Sequence, residues 1–116
     1  MTMVESKKKD VKEKKEVKKE ILYRVYPDIY KNIDYDKMIV EIEVSLPGVK
    51  KENISLKALP TWFKLHAIRD DMEYSAQTSF GVEIVPEKTT AKYIQGLLSI
   101  QAHIKNPLDD AREISF

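Results

Sequence analysis

At 116 residues and 13.5 kDa the chain has room for one small domain and a tail, and a two-domain enzyme is excluded. Twenty Lys and Arg against nineteen Asp and Glu leave a net charge of +1, so the composition as a whole shows no bias toward a polyanion. With no cysteine there is no disulfide scaffold, no thiol nucleophile and no Cys-ligated metal.

No apolar run approaches the ~20 residues that span a bilayer, and the charged N-terminus lacks the apolar centre of a signal peptide. A soluble, cytoplasmic protein with no membrane partner is expected.

The charge is unevenly spread. Residues 5–20 hold eight lysines (Lys7, Lys8, Lys9, Lys12, Lys14, Lys15, Lys18 and Lys19) and five acids, with Val11 and Val17 the only apolar residues. Such a segment buries too little apolar surface to offset its ordering entropy, so an arm over residues 1–22 is expected to be disordered or a fluctuating helix. Acids interleave with the lysines, and no aromatic precedes Tyr23. That favours a solvated tail over a nucleic-acid-binding arm.

From Tyr23 the pattern changes to period two. In MIVEIEVSL, Val40, Ile42, Val44 and Leu46 share one face and Glu41, Glu43 and Ser45 the other, which predicts a strand with one wet side. It ends at Pro47-Gly48, a turn signal. NISLKAL repeats the alternation through Ile54, Leu56 and Ala58. After Pro60, WFKLHAIR sets Phe63, Leu65 and Ala67 against Trp62, Lys64, His66 and Ile68. SFGVEIV (Phe80, Val82, Ile84) and GLLSIQAHI (Leu98, Ile100, Ala102, Ile104) supply two more strands. Strands at this spacing, with no long helical period between them, predict an all-β protein built as an antiparallel sandwich.

Candidates for catalysis are few. His66 and His103 fall on the polar parity of their strands, without a second ligand at metal-binding spacing. Asp70-Asp71 and Asp109-Asp110 read as solvated turns. Three glycines, at 48, 81 and 96, cannot form a phosphate cradle. No enzyme activity, cofactor or metal is expected.

Two motifs in order do stand out. DKMIVEIEVSLPGVKKENISLKAL resembles the first half of an alpha-crystallin domain, the core of the small heat-shock proteins. Downstream, Ala91, Tyr93, Gly96, Leu97 and Leu98 resemble that family's late signature, and PDIYKNIDYD its first strand. The resemblance spans residues 27–104. It implies an immunoglobulin-like β-sandwich over residues 23–105, and an ATP-independent holdase that captures partly unfolded proteins and forms homo-oligomers.

The family's C-terminal Ile-x-Ile or Ile-x-Val staple has a variant here in Ile114-Ser115-Phe116, within a tail over residues 106–116. If the staple carries over, Leu56 and Ala58 on one edge strand, with Thr90 and Lys92 on the other, line its docking groove. Trp62 and Ile68, on one strand face, form a candidate client patch.

One departure matters. The ten residues between Arg69 and Phe80 are too few for the long exchanging loop of bacterial, archaeal and plant members, which puts the strand-swapped dimer in doubt and leaves the dimer mode open. That departure leaves a second reading, a CS-like co-chaperone or adaptor module without holdase activity. Nucleic-acid binding through the Lys-rich arm is the third.

Overall fold

A computed structural model describes residue 21 and residues 23–116. The expected arm, apart from Ile21, lies outside these described residues.

Eight strands follow in chain order: β1 Tyr23–Val25, β2 Ile29–Asp34, β3 Ile39–Ser45, β4 Ile54–Ala58, β5 Trp62–Arg69, β6 Met72–Ser79, β7 Ile84–Ile94 and β8 Leu97–Ile104. They form two four-stranded sheets, ordered β1-β6-β5-β4 and β2-β3-β8-β7. Every pairing is antiparallel except β1 with β6, which is parallel. The all-β sandwich read from the sequence is the fold.

The core follows from the alternation. Val40, Ile42 and Val44 are fully buried and pair in register with Ala102, Ile100 and Leu98, so β3 and β8 present one continuous apolar face. Phe63, Leu65 and Ala67 of β5, with Tyr74 and Ala76 of β6, are the buried residues of the other sheet. Glu41 and Glu43 face water. Phe63 and Phe80 close one end of the core with ring centroids 5.3 Å apart at a 45° tilt. Each such side chain contributes ~1.5–3 kcal/mol by leaving water.

The middle of the chain departs from the sequence reading. SFGVEIV is not one strand: Phe80 to Glu83 form a connection, and the strand preceding it is Met72–Ser79. Arg69 pairs directly with Met72 across a two-residue turn, with Asp70 at φ 52°. The hairpin therefore opens at once, and the segment read as a loop has its own strand. Its inner face is only Tyr74, Ala76 and Thr78, too weak an alternation to register as a strand. After Phe80, Gly81 at φ 84° turns the chain out of the sheet. Pairing resumes at Ile84 and slips between Val85 and Thr90, around Pro86, which has no N–H for the ladder.

Candidate interaction surfaces

The two sequence motifs meet in space. Ile94 and Leu97 pair across Gln95-Gly96, both with positive φ (49° and 84°), the geometry of a tight hairpin turn that glycine tolerates. This turn lies against the Leu46-Pro47-Gly48-Val49 turn, where the Leu46 amide donates to the Gly96 carbonyl at 2.7 Å. From the adjoining strand the Tyr93 hydroxyl lies 2.7 Å from the carbonyl oxygens of both Leu46 and Val49. Burial holds the Tyr93 phenol above its ordinary range. It thus stays protonated and able to donate.

The register of β7 decides what its edge presents. Thr90 and Lys92 pair with Gln101 and Ser99, whereas Ala91 and Tyr93 pair with the buried Ile100 and Leu98. Thr90 and Lys92 therefore point to the outer face of their sheet. Leu56 and Ala58 of β4 are half-buried beside Leu65 and Phe63 and pack against the core. The four residues expected to line one groove thus lie on two different faces. The inner-side residues of β7 are Ala91 and Tyr93, one position along. A one-residue shift flips every side chain of a strand, and here the Gln95-Gly96 turn fixes the register.

On the outer face, Thr90 and Lys92 join Tyr30, Glu43, Ile94 and Leu97 around a shallow depression of about 510 Å3. Tyr30 and Ile94 are largely exposed.

Trp62 and Ile68 do share the outer face of β5, both half-buried. They sit at opposite ends of the strand, ~20 Å apart at the usual rise per residue. Lys64 and His66 stand between them, so the pair makes no continuous apolar patch.

The tail is open. Ile114 and Phe116 are exposed, on a stretch without regular structure. Its root is fixed: Asn106 Oδ1 accepts from the Leu108 amide at 3.0 Å and caps a short 3-10 turn, Pro107–Asp110. Lys105 Nζ binds Asp110 Oδ2 at 2.6 Å.

No family model and no curated protein matches the sequence. Solved structures do match. Heat shock protein 16.0 from Schizosaccharomyces pombe superposes with a TM-score of 0.63 at 17% identity, over 79% of this chain and 98% of that one. A variant of hsp14.1 from Sulfolobus solfataricus gives 0.61 at 17% identity, over 80% of each chain. A small heat-shock protein from Xylella fastidiosa gives 0.58 at 15% identity, over 79% and 96%. The fold is that of the alpha-crystallin domain.

One charged cluster on this alpha-crystallin-type sandwich escaped the sequence reading. Glu73 of β6 bonds Arg24 Nε of β1 at 2.8 Å, and its other oxygen meets His66 Nε2 of β5. Burial works to raise the Glu73 carboxyl, but the hydrogen bonds from Arg24 and His66 outweigh it and hold it below its ordinary range. Farther along the same strand, the Tyr26 hydroxyl lies 2.6 Å from Thr78 Oγ1. Arg24 and Glu73 are 49 residues apart in sequence, so only the parallel pairing of β1 with β6 brings them together.

His103 is exposed on the outer face of β8. Among the described residues no group of three or more His, Asp or Glu is placed to hold a metal ion. Nor is any described helix long and apolar enough to cross a membrane.

Proposed function

We propose that this chain is an ATP-independent holdase of the small heat-shock type, acting in the cytoplasm as a homo-oligomer and holding partly unfolded proteins away from aggregation. The observation that carries the reading is the alpha-crystallin-type sandwich, shared over about four-fifths of the chain with three small heat-shock proteins. The exposed Ile114 and Phe116 support it, since two apolar side chains at i and i+2 on an extended tail suit docking on another protomer.

In this reading the arm, residues 1–22, and the tail, residues 106–116, flank the working domain. The tail seats along the β4 edge beside Leu56 and Ala58, with Ala91 and Tyr93 on the β7 side. Client contacts fall on exposed apolar side chains such as Tyr30, Ile94 and Leu97 rather than on Trp62 and Ile68 alone. Holding requires no reaction: binding the unfolded form competes with its aggregation by mass action.

The test pairs light-scattering mass with aggregation suppression on one sample, using heated citrate synthase as client. Suppression near stoichiometric ratio by a species larger than a dimer is expected. A small species that leaves aggregation unchanged would point instead to an adaptor module built on the same sandwich.

A further inference from the structure

The outer faces of the two sheets carry opposite charge. On the β1-β6-β5-β4 sheet, Phe63, Leu65 and Ala67 are buried, so the register turns Lys57, Lys64, His66, Glu73 and Arg24 outward. Lys57 lies directly across from Lys64, and the strand on the other side answers Lys64 with Gln77. Like charges placed opposite each other in a sheet repel, so this pairing costs the single chain stability. The only acid among the paired residues of that face is Glu73, already held by Arg24 and His66.

The β2-β3-β8-β7 sheet is the reverse. Glu41 and Glu43 are exposed on its outer face, two residues apart on β3. Their cross-strand neighbours are Asn32 and Gln101 for Glu41, and Tyr30 and Ser99 for Glu43, all uncharged. Asp34 adds a third acid, and Lys92, two strands from Glu43, is the only lysine or arginine among the paired residues of this face. With the histidines neutral, the paired residues give one face +2 and the other −2. Each face also shows a ring, Trp62 half-buried on the first and Tyr30 64% exposed on the second.

We propose that these faces stack between copies of this chain, Lys57 and Lys64 of one copy against Glu41 and Glu43 of the next. The lysine pair runs across its strands with ~5 Å between Cβ atoms, and the glutamate pair runs along its strand with ~7 Å. The two pairs therefore coincide when the strands of the facing sheets cross near a right angle, one of the two usual sheet packings. The contact is heterologous: a copy that gives its basic face keeps its acidic face open, so copies add end to end. A four-stranded face is about 20 Å on a side, roughly 400 Å2 on each copy, from ~4.8 Å between strands and ~3.3 Å per residue. That is half the ~800 Å2 per partner of a stable complex, so each junction is weak and dissolves in salt. A client held on Tyr30 displaces the neighbouring copy. The stack does not depend on holdase activity.

Two full-length variants test this. Lys57→Gln with Lys64→Gln keeps only the acidic face, and Glu41→Gln with Glu43→Gln keeps only the basic one. All four positions are exposed, so neither variant should melt below wild type by more than a small margin. At low salt the wild-type mass by light scattering should climb with concentration without levelling at a dimer, and fall back at about 0.5 M NaCl. Each variant alone should associate at least about fivefold more weakly, as loss of two exposed ion pairs implies. Mixed, the two variants regain one junction. The 15N-labelled lysine variant should shift at the Glu41 and Glu43 amides, and not at Ser55 or Gln77, when the unlabelled glutamate variant is added. Adding Ile114→Ala and Phe116→Ala to both chains should leave that result intact, which separates failure of the stack from failure of the tail. Self-association unchanged in either variant overturns the stack. So does the absence of acidic-face shifts on mixing, as when each chain's own arm already covers that face, or equal shifts when the labelled variant meets unlabelled copies of itself.

Discussion

The Tyr93 hydroxyl and the Leu46 carbonyl, 47 residues apart in sequence, stand 2.7 Å from each other. That contact, with the equal one to Val49, ties the hairpin of one sheet to the turn that leads into the other. The two motifs that resembled an alpha-crystallin domain are therefore two halves of one junction. Tyr93→Phe keeps the ring and removes the donor, leaving the Val49 carbonyl without it, and should cost ~1–3 kcal/mol in denaturant unfolding. Tyr30→Phe, on an exposed ring, should stay within ~0.5 kcal/mol.

The same pair has an alkaline signature. A phenol held above its ordinary range in the fold contributes stability that is whole below the unfolded value of ~10 and is lost as pH rises through the folded one. The stability gap between wild type and Tyr93→Phe should therefore narrow above pH ~10.

Ile42 tests the face assignment of β3. It is fully buried between Lys31 and Ile100 in the ladder, so Ile42→Ala should leave a cavity and cost ~2–5 kcal/mol. Glu43→Ala, one residue on and facing water, should change stability by no more than ~0.5 kcal/mol. Melting shifts in the reverse order would mean that the strand's faces had been exchanged.

What could be read from the chain tracks how strongly each strand alternates. β3, β5 and β8 place apolar residues, most of them large, at every second position, and their inner faces came out as expected. β6 alternates Tyr74, Ala76 and Thr78 among Glu, Ser and Gln, a contrast too small to mark a strand. The face on which Thr90 and Lys92 of β7 lie could not be read locally, because its register is set by pairing with β8 rather than by its own mixed sequence. The Glu73 cluster left no local trace, since its three members come from three strands that only the sheet order brings together.

Glu73 should show in the acid limb of stability. Arg24 and His66 hold its carboxyl below the ordinary range against the opposing effect of burial. A carboxylate lowered in the fold stabilises it above the unfolded value of ~4.3, and that contribution is lost as pH falls through the folded value. Glu73→Gln should therefore be less stable than wild type at neutral pH and converge with it below pH ~4, measured by urea unfolding across pH. A gap that stays constant through that range would show that the carboxylate's ionisation contributes nothing to the β1–β6 edge.

The tail separates assembly from folding. Ile114 and Phe116 are exposed, so Ile114→Ala with Phe116→Ala should leave the thermal unfolding of the single chain within ~0.5 kcal/mol of wild type. Burying each side chain on a neighbour would contribute ~1.5–3 kcal/mol, against backbone ordering of ~1–2 kcal/mol for each residue fixed, so one docked tail is weak. Several tails in one assembly reinforce each other, because once the first docks the rest meet their grooves at high effective concentration. The double mutant should therefore shrink toward a dimer or monomer by light scattering at matched concentration. A wild type that is already monomeric at high micromolar concentration would leave the tail nothing to staple, and the adaptor reading would take the place of the holdase.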